Sequence, residues 1–359
     1  MDSPGTLQRL GRPVGEARRA FMRLIEPHRP DLWRYCLRLT GSAWDADDLM
    51  QETMMRAFAR LTWWEPVEAR PYLFRIATNA WIDDVRRRRV TPVELDAAEP
   101  AGEEPDPVET WAAMEHLVAA LPPRQRVVLL LTQVFDFTAA EVAAMLHSTE
   151  GAVKAALHRA RAGLRAAAAG EGPPVGAGLR TRPPADRPPA SGDLRSDALG
   201  NRLPASGDPQ PAAPGERRPT RPTVPVPSAV VAAYLDAFNR RDPDAIAALL
   251  TEGAECDIVE CGVEYGREVI RKYSLEDWTR DPRPQWAEYG ELDGEPVVFV
   301  YFRTEEHGRA LGQLVRLTTA GDRITAMRLY YFTPELIRYA AGRLNVPACT
   351  WGYFHQGEG

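Results

Sequence analysis

LPPRQRVVLLLTQVFDFTAAEVAAMLHSTEGAVKAALHRARAGLR, residues 121–165, is the stretch around which the rest of the chain is read. Phe137 and Thr138 precede a short helix from about Ala139 to Leu146, with Val142, Met145 and Leu146 as its apolar side. His147-Ser148-Thr149 makes a tight turn, Ser148 is expected to cap the following helix, and Glu150 falls in the first turn, where the helix dipole favours a carboxylate. In that second helix Val153, Leu157, Ala160 and Leu164 recur with helical spacing and form a stripe that must be buried. Lys154, His158, Arg161 and Arg165 repeat the spacing one residue on, so a basic stripe lies about a quarter turn away. One stripe docks the helix while the other faces outward, as a recognition helix in a major groove requires. Basic amphipathic helices are also common in proteins that never meet DNA. The succession of short helix, tight turn and second helix is what favours a DNA reader.

The totals bound the reading. A chain of 359 residues has room for two or three domains, and 32 prolines point to linkers between them. A net charge of −6 argues against non-specific coating of nucleic acid but permits a local basic surface. Cys36, Cys256, Cys261 and Cys349 form no CxxC pair, so neither a disulfide framework nor a metal site is expected, and a reducing cytoplasm is the simpler setting. The N-terminal stretch has no apolar signal-like core and no segment approaches a membrane span, so a soluble, cytoplasmic protein without membrane contact is expected.

Residues 20–90 are patterned as helices throughout. Phe21, Leu24 and Ile25 begin an apolar face that resumes with Leu32, Cys36 and Leu39. DADDLMQETMMRAFARL, residues 45–61, is amphipathic with an acidic first turn. Leu49, Thr53 and Ala57 are expected to face inward, leaving Asp47, Asp48, Gln51, Glu52 and Arg56 outside. Trp63 and Trp64 sit in a short connection, where aromatics either plug a core or stack on unpaired bases. Pro71 suits the first turn of a third helix with Leu73, Ile76, Ala77, Ala80 and Val85 on its buried side. Arg75, Asn79 and Asp83 share another face, and Arg86 to Arg89 end the helix. Four arginines there satisfy the dipole and also offer a surface to nucleic acid.

Taken together, DADDLMQETMMRAF, RPYLFRIATNAWIDDVRRRR and the 121–165 stretch resemble bacterial RNA polymerase sigma factors of the extracytoplasmic-function type, over about residues 21–165. A LuxR-type regulator shares the helix-turn-helix but lacks this N-terminal module. The resemblance implies that Asp48, Leu49, Gln51 and Glu52 dock on the β′ clamp helices of core RNA polymerase, with the β subunit as a further contact. It implies that Trp63, Trp64, Asn79, Asp83, Arg86 and Arg87 serve the −10 element, and that Thr149, Glu150, Lys154, His158 and Arg161 serve the −35 element of promoter DNA. Alanines at 152, 155 and 156 depart from the family's polar pattern in this helix, so a promoter sequence does not carry over from relatives.

The expected organisation is a tail (1–19), region 2 (20–90), an acidic flexible linker (91–109), region 4 (110–168) and a proline-rich disordered linker (169–227) in which PASGD occurs twice. A second globule (228–333) and an extension (334–359) complete it. Helical patterns from Ser228 and Pro243 precede strand-like runs at 254–260, 285–292, 297–303, 311–318 and 324–332, with Asp293-Gly294 and Ala320-Gly321 as hairpin turns. Residues 266–273 are expected to be a helix. The fold class is thus multi-domain: two all-α modules plus an α+β cone. YLDAFNRRDPDAIAALL and the following G…E.YGRE.I resemble the SnoaL-like, nuclear-transport-factor-like domain. Some relatives of that cone are isomerases or cyclases, so the alternative is a sigma-like DNA-binding protein carrying a small enzyme. Asp257, Glu260, Tyr265 and His307 are the pocket candidates, but nothing in the sequence orders them as an acid–base pair. The favoured reading has no catalytic residues, cofactor or metal. Its C-terminal domain binds a small-molecule ligand or makes an intramolecular contact, and regulates the sigma modules in cis. Aromatic Trp351, Tyr353 and Phe354 suggest docking back on the protein or on a partner.

Overall fold

The computed structural model describes residues 16–60, 68–90, 118, 121–168 and 226–351. Region 2 comprises α1 (16–25), a 3₁₀ turn (Glu26–His28), α2 (Arg29–Thr40), α3 (Ala43–Ala59) and α4 (Ala69–Val90). Gly41, at φ +79°, ends α2 in the left-handed conformation that glycine adopts without strain. Ser42 immediately caps α3 by accepting from Asp45 N at 3.4 Å. Leu32, Cys36, Leu39, Ala57, Leu73 and Phe74 are fully buried among these helices. Leu24 does not join them: it is 50% exposed, because Phe21, Met22 and Ile25 already supply the inward side of α1.

Region 4 contains α5 (Pro123–Gln133), α6 (Ala139–Met145) and α7 (Glu150–Ala168). Thr138 and Glu141 make a reciprocal capping box at the start of α6. The turn passes through His147 at φ +48°. Thr149, rather than Ser148, caps α7, its hydroxyl accepting from Ala152 N at 3.2 Å. Either residue has the chemistry, and the left-handed His147 sets the register.

The C-terminal domain begins with α8 (Ala229–Asn239) and α9 (Pro243–Leu249), followed by β1 (Leu250–Ile258) and β2 (Gly262–Tyr265). A helical segment follows: α10 (Arg267–Ile270), a π turn (Arg271–Leu275) and α11 (Glu276–Arg280). The strands β3 (Gln285–Leu292), β4 (Glu295–Thr304), β5 (Gly308–Ala320) and β6 (Arg323–Tyr330) lead into α12 (Pro334–Leu344). The sheet order is β2-β1-β6-β5-β4-β3, with β1 and β6 parallel and the other pairs antiparallel. β2 has no counterpart among the expected strands; at four residues it is too short to show a period. Asp293 and Gly294 turn at φ +53° and +80°, matching the expected hairpin.

Both faces of this sheet are covered. Val298, Val300 and Phe302 of β4 pack with Cys256, Val315 and Met327 against α8 and α9. The alternate residues Val297, Phe299 and Tyr301 join Leu314 and Tyr330 in the core that contains region 2. Beyond α12 the chain returns to the sheet: Leu311 N donates to Pro347 O at 2.8 Å, and Cys349 N to Leu311 O at 2.7 Å. Trp351 then sits edge-on to Phe302 at 5.6 Å, with the Arg283 guanidinium 3.8 Å from its ring centre. Tyr353, Phe354 and both expected linkers, apart from the last residues of the second, lie outside the described residues. Among the described residues no helix is long and apolar enough to cross a membrane.

The capping box gives a local test. Thr138→Ala removes the cap of α6 and should destabilise region 4 by about 1 kcal/mol, read by chemical denaturation followed through helix content.

Candidate polymerase and nucleic-acid interfaces

Helix α3 brings Asp48, Leu49, Gln51 and Glu52 together over one helical turn, and each has a different fate. Leu49 is buried in the region 2 core. Glu52 pairs with Arg56 at 2.6 Å, one turn on. Asp48 and Gln51 face the C-terminal domain, where Arg328 of β6 reaches both: its Nη1 lies 2.7 Å from Asp48 Oδ1 and its Nη2 donates to Gln51 Oε1 at 3.3 Å. Arg328 is steered from behind by Asp257, 3.0 Å from its Nε.

Three further contacts fasten the same surface. Trp44 donates its indole N–H to Leu292 O at 3.1 Å, packs on Tyr330 at 5.2 Å and carries the Arg316 guanidinium 4.7 Å above its ring. Asp293, at the hairpin tip, accepts from Ala43 N at 3.3 Å and from the Tyr339 hydroxyl at 3.0 Å. Arg29, 1% exposed, donates to Glu260 at 2.5 and 3.1 Å and lies 3.4 Å from Glu335.

Asp47, expected at the surface, is only 3% exposed because the sheet covers it. It accepts from Gln51 Nε2 at 2.5 Å. Burial pushes its carboxyl well above the ordinary range and repulsion from Glu260 and Asp48 adds to this, while Arg328 and the Gln51 hydrogen bond oppose it.

On α4, Asp83 lies 3.7 Å from Arg86 and Arg87 lies 3.8 Å from Asp84, all near the exposed end of the helix. Asn79 and Asp83 line a cavity of about 340 Å³ that His147 of the helix-turn-helix also borders. Trp63 and Trp64 lie outside the described residues. On α7 the two stripes separate: Val153 and Ala160 are buried, whereas Lys154, His158 and Arg161 are exposed. Lys154 lies 3.5 Å from Glu150, Arg161 donates to Gln133, and the Thr149 hydroxyl is occupied by its capping bond.

Region 4 is folded against region 2. Arg126 of α5, 3% exposed, donates to Leu39 O at 2.8 Å and lies 5.3 Å from the Trp81 ring, and burial lowers its pKa to about 10. Arg70 donates to Phe135 O at 2.8 Å and lies over Phe137 at 4.4 Å. Phe135 and Phe137 meet Phe74 edge-on at 5.3 and 5.1 Å.

The four pocket candidates of the C-terminal domain do not converge. Asp257 points from the outer face of β1 to Arg328. Tyr265, 65% exposed, lies on edge strand β2. His307 sits in the β4–β5 turn, 3.5 Å from Glu306. Glu260 belongs to the Arg29 cluster. Sequence reasoning missed Arg29, Trp44, Arg316 and Arg328. The apolar run VVFVYF at 297–302 is the signal that could have found them, since an antiparallel strand buried on one face alternates.

Comparison with known proteins gives Sigma-70 region 2 over residues 24–91 and Sigma-70 region 4 over residues 111–164. The ECF RNA polymerase sigma factor SigL of Mycobacterium tuberculosis is 36% identical over 165 residues, which cover 42% of this chain and 89% of that protein. SigG of the same organism is 36% identical over 194 residues, covering 43% of this chain and 50% of SigG, so the chain spans about half of that relative's length. Among solved structures, the extracytoplasmic function sigma factor SigJ of M. tuberculosis aligns over 87% of this chain and 96% of its own, at 17% identity and a TM-score of 0.29. A putative polyketide cyclase of Xanthomonas campestris aligns over 28% of this chain and 87% of its own, at 25% identity and a TM-score of 0.22.

The buried carboxyl of Asp47 makes a pH-dependent prediction. With its folded-state pKa raised, the carboxyl opposes folding above the ordinary carboxylate range; the penalty is full above the raised value, shrinks as pH falls below it and is gone at the ordinary value. Asp47→Asn should therefore melt roughly 2–4 °C above the parent at pH 8. The gap should close as the pH is lowered, read by calorimetry at a series of pH values.

Proposed function

The chain belongs to the ECF sigma factors of RNA polymerase, and from that premise we propose that it joins core polymerase and directs promoter-specific initiation under the control of its own C-terminal domain. In this reading Asp48, Leu49, Gln51 and Glu52 meet the β′ clamp helices, with the β subunit a further contact. Asn79, Asp83, Arg86 and Arg87, with Trp63 and Trp64, serve the −10 element. Lys154, His158 and Arg161 of α7, with Thr149 and Glu150 at its start, serve the −35 element. The work is done in the cytoplasm and without catalysis.

The observation that carries the regulatory part is Arg328 on Asp48 and Gln51. A polymerase helix that docks on α3 needs those same groups, so sheet and polymerase compete for one face. Trp44 and Asp47 are covered by the same contact and would not offer themselves to core enzyme until the sheet departs. The packing of α5 on α2 through Arg126 adds a second restraint, because a bipartite reader must spread its two modules along DNA. The sign of the control is therefore inhibition in the closed arrangement, relieved when the C-terminal domain lets go.

Two measurements test this. Arg328→Ala removes a partly exposed ion pair worth up to about 1 kcal/mol, so core-enzyme binding should tighten up to about fivefold, and a chain ending near Gly170 should initiate more strongly still. Equal core affinity and equal transcript yield from all three proteins would sink control in cis while leaving the sigma assignment intact. Separately, each side-chain bond to a base or phosphate is worth about 1–3 kcal/mol, so Lys154→Ala combined with His158→Ala should lower −35-dependent initiation in vitro at least tenfold.

A further inference from the structure

The cavity between region 2 and the helix-turn-helix has chemistry that the closed arrangement leaves unused. Its volume is about 340 Å³, and its walls include Arg56, Arg60, Arg75, Ile76, Asn79 and His147. Two of its charges are already answered: Arg56 lies 2.6 Å from Glu52, and Asp83, which also lines the cavity, lies 3.7 Å from Arg86. Arg60 and Arg75 have no carboxylate within ion-pair distance among the described residues; Arg75 has only the Tyr72 ring, 5.4 Å away. Two guanidinium groups that line one small space without a counter-charge raise its potential, and an anion with several oxygens relieves it. Asn79 offers both an amide donor and an acceptor, the pair that reads the edge of a nucleobase. Ile76 supplies an apolar wall. The volume lies near the lower end of small-molecule pockets, which run from about 300 to 1,000 Å³, and suits a mononucleotide rather than a duplex.

His147 decides what kind of site this is. It belongs to region 4, at the left-handed turn between α6 and α7, while the other walls belong to region 2. The cavity is complete only while the two modules are packed together. We propose that it binds a nucleoside diphosphate, with the phosphates on Arg60 and Arg75 and the base toward Asn79, and that the bound nucleotide ties the helix-turn-helix to region 2. A ligand restricted to the closed arrangement shifts the closed-to-open ratio by 1 + [L]/Kd, about elevenfold at ten times Kd. Single-stranded promoter DNA carries the same phosphates and bases, but it reaches this face with region 4 elsewhere and so does not need His147.

Isothermal titration of the full-length chain separates the two sources without polymerase, so its outcome is independent of the sigma-factor reading. The probes are ADP, GDP and a single-stranded hexanucleotide. At least one diphosphate should bind with a Kd below 1 mM, and Arg60→Ala combined with Arg75→Ala should weaken it at least tenfold. His147→Gly keeps the left-handed turn while removing the imidazole. It should weaken the diphosphate at least threefold and leave hexanucleotide binding unchanged. Far-UV circular dichroism matching the parent confirms that each variant is folded. Failure of both diphosphates to bind at millimolar concentration overturns the proposal. So does retention of binding in the double arginine variant, or indifference of diphosphate binding to His147→Gly, which would leave a site for DNA phosphates on region 2 alone.

Discussion

Arg29 is the residue on which the closed arrangement depends. It opens α2 and is 1% exposed, its guanidinium held between Glu260 and Glu335 of the C-terminal domain. An arginine so deeply buried has no water to replace a missing partner. Removing one member of a buried, hydrogen-bonded pair typically costs about 3–5 kcal/mol, most of it from the charge left behind. Arg18 adds a bond to the Glu260 carbonyl, and Glu260 itself is held at φ +66°. The cluster therefore fixes the orientation of the sheet relative to α2 more firmly than apolar packing alone would, because it is satisfied in only one pose.

The rest of the interface follows from that pose. With Arg29 seated, the β3–β4 hairpin reaches the start of α3, Trp44 slides between Leu292, Tyr330 and Arg316, and Arg328 arrives over Asp48 and Gln51. The contact mixes a buried apolar centre with charges toward its edge. Arg328 is about 29% exposed in its side chain, so its attraction is screened and exchangeable, whereas the Arg29 pair is not. A competitor for α3 thus meets the weaker interactions first. Region 4 is held by a different chemistry, a cluster of aromatic rings around Phe74 with Arg126 inserted beneath, so the two restraints on region 2 are physically separate.

Much of the fold was legible because local periodicity and turn chemistry agree with the tertiary structure. The helix-turn-helix stripes, the inward residues Leu49, Thr53 and Ala57, the Asp293-Gly294 turn and five of the six strands all announce themselves over a few residues. The misplacements at the domain interface have one cause. Asp47 reads as exposed and Arg328 as an ordinary strand residue because the groups each meets across the interface lie more than 200 positions away, and no local pattern carries that information. Asp257 and Glu260 were drawn to a pocket by residue type, whereas their charges are spent on Arg328 and Arg29 at the outer face. The cap of α7 moved from Ser148 to Thr149 because adjacent hydroxyl residues compete equally until the backbone of His147 selects one.

Asp293 gives the docking a further effect. Its carboxylate accepts the Ala43 amide at the first turn of α3, where unpaired N–H groups and the positive end of the helix dipole both call for an anion. The hairpin tip is thus an external cap for the helix that carries Asp48 and Gln51. When the sheet leaves, that turn keeps Ser42 and its own Asp45 but loses the Asp293 carboxylate. Departure of the domain and loosening of the start of α3 are consequently one coupled event, and the helix offered to another protein is softer at its leading end than the helix stored in the closed chain.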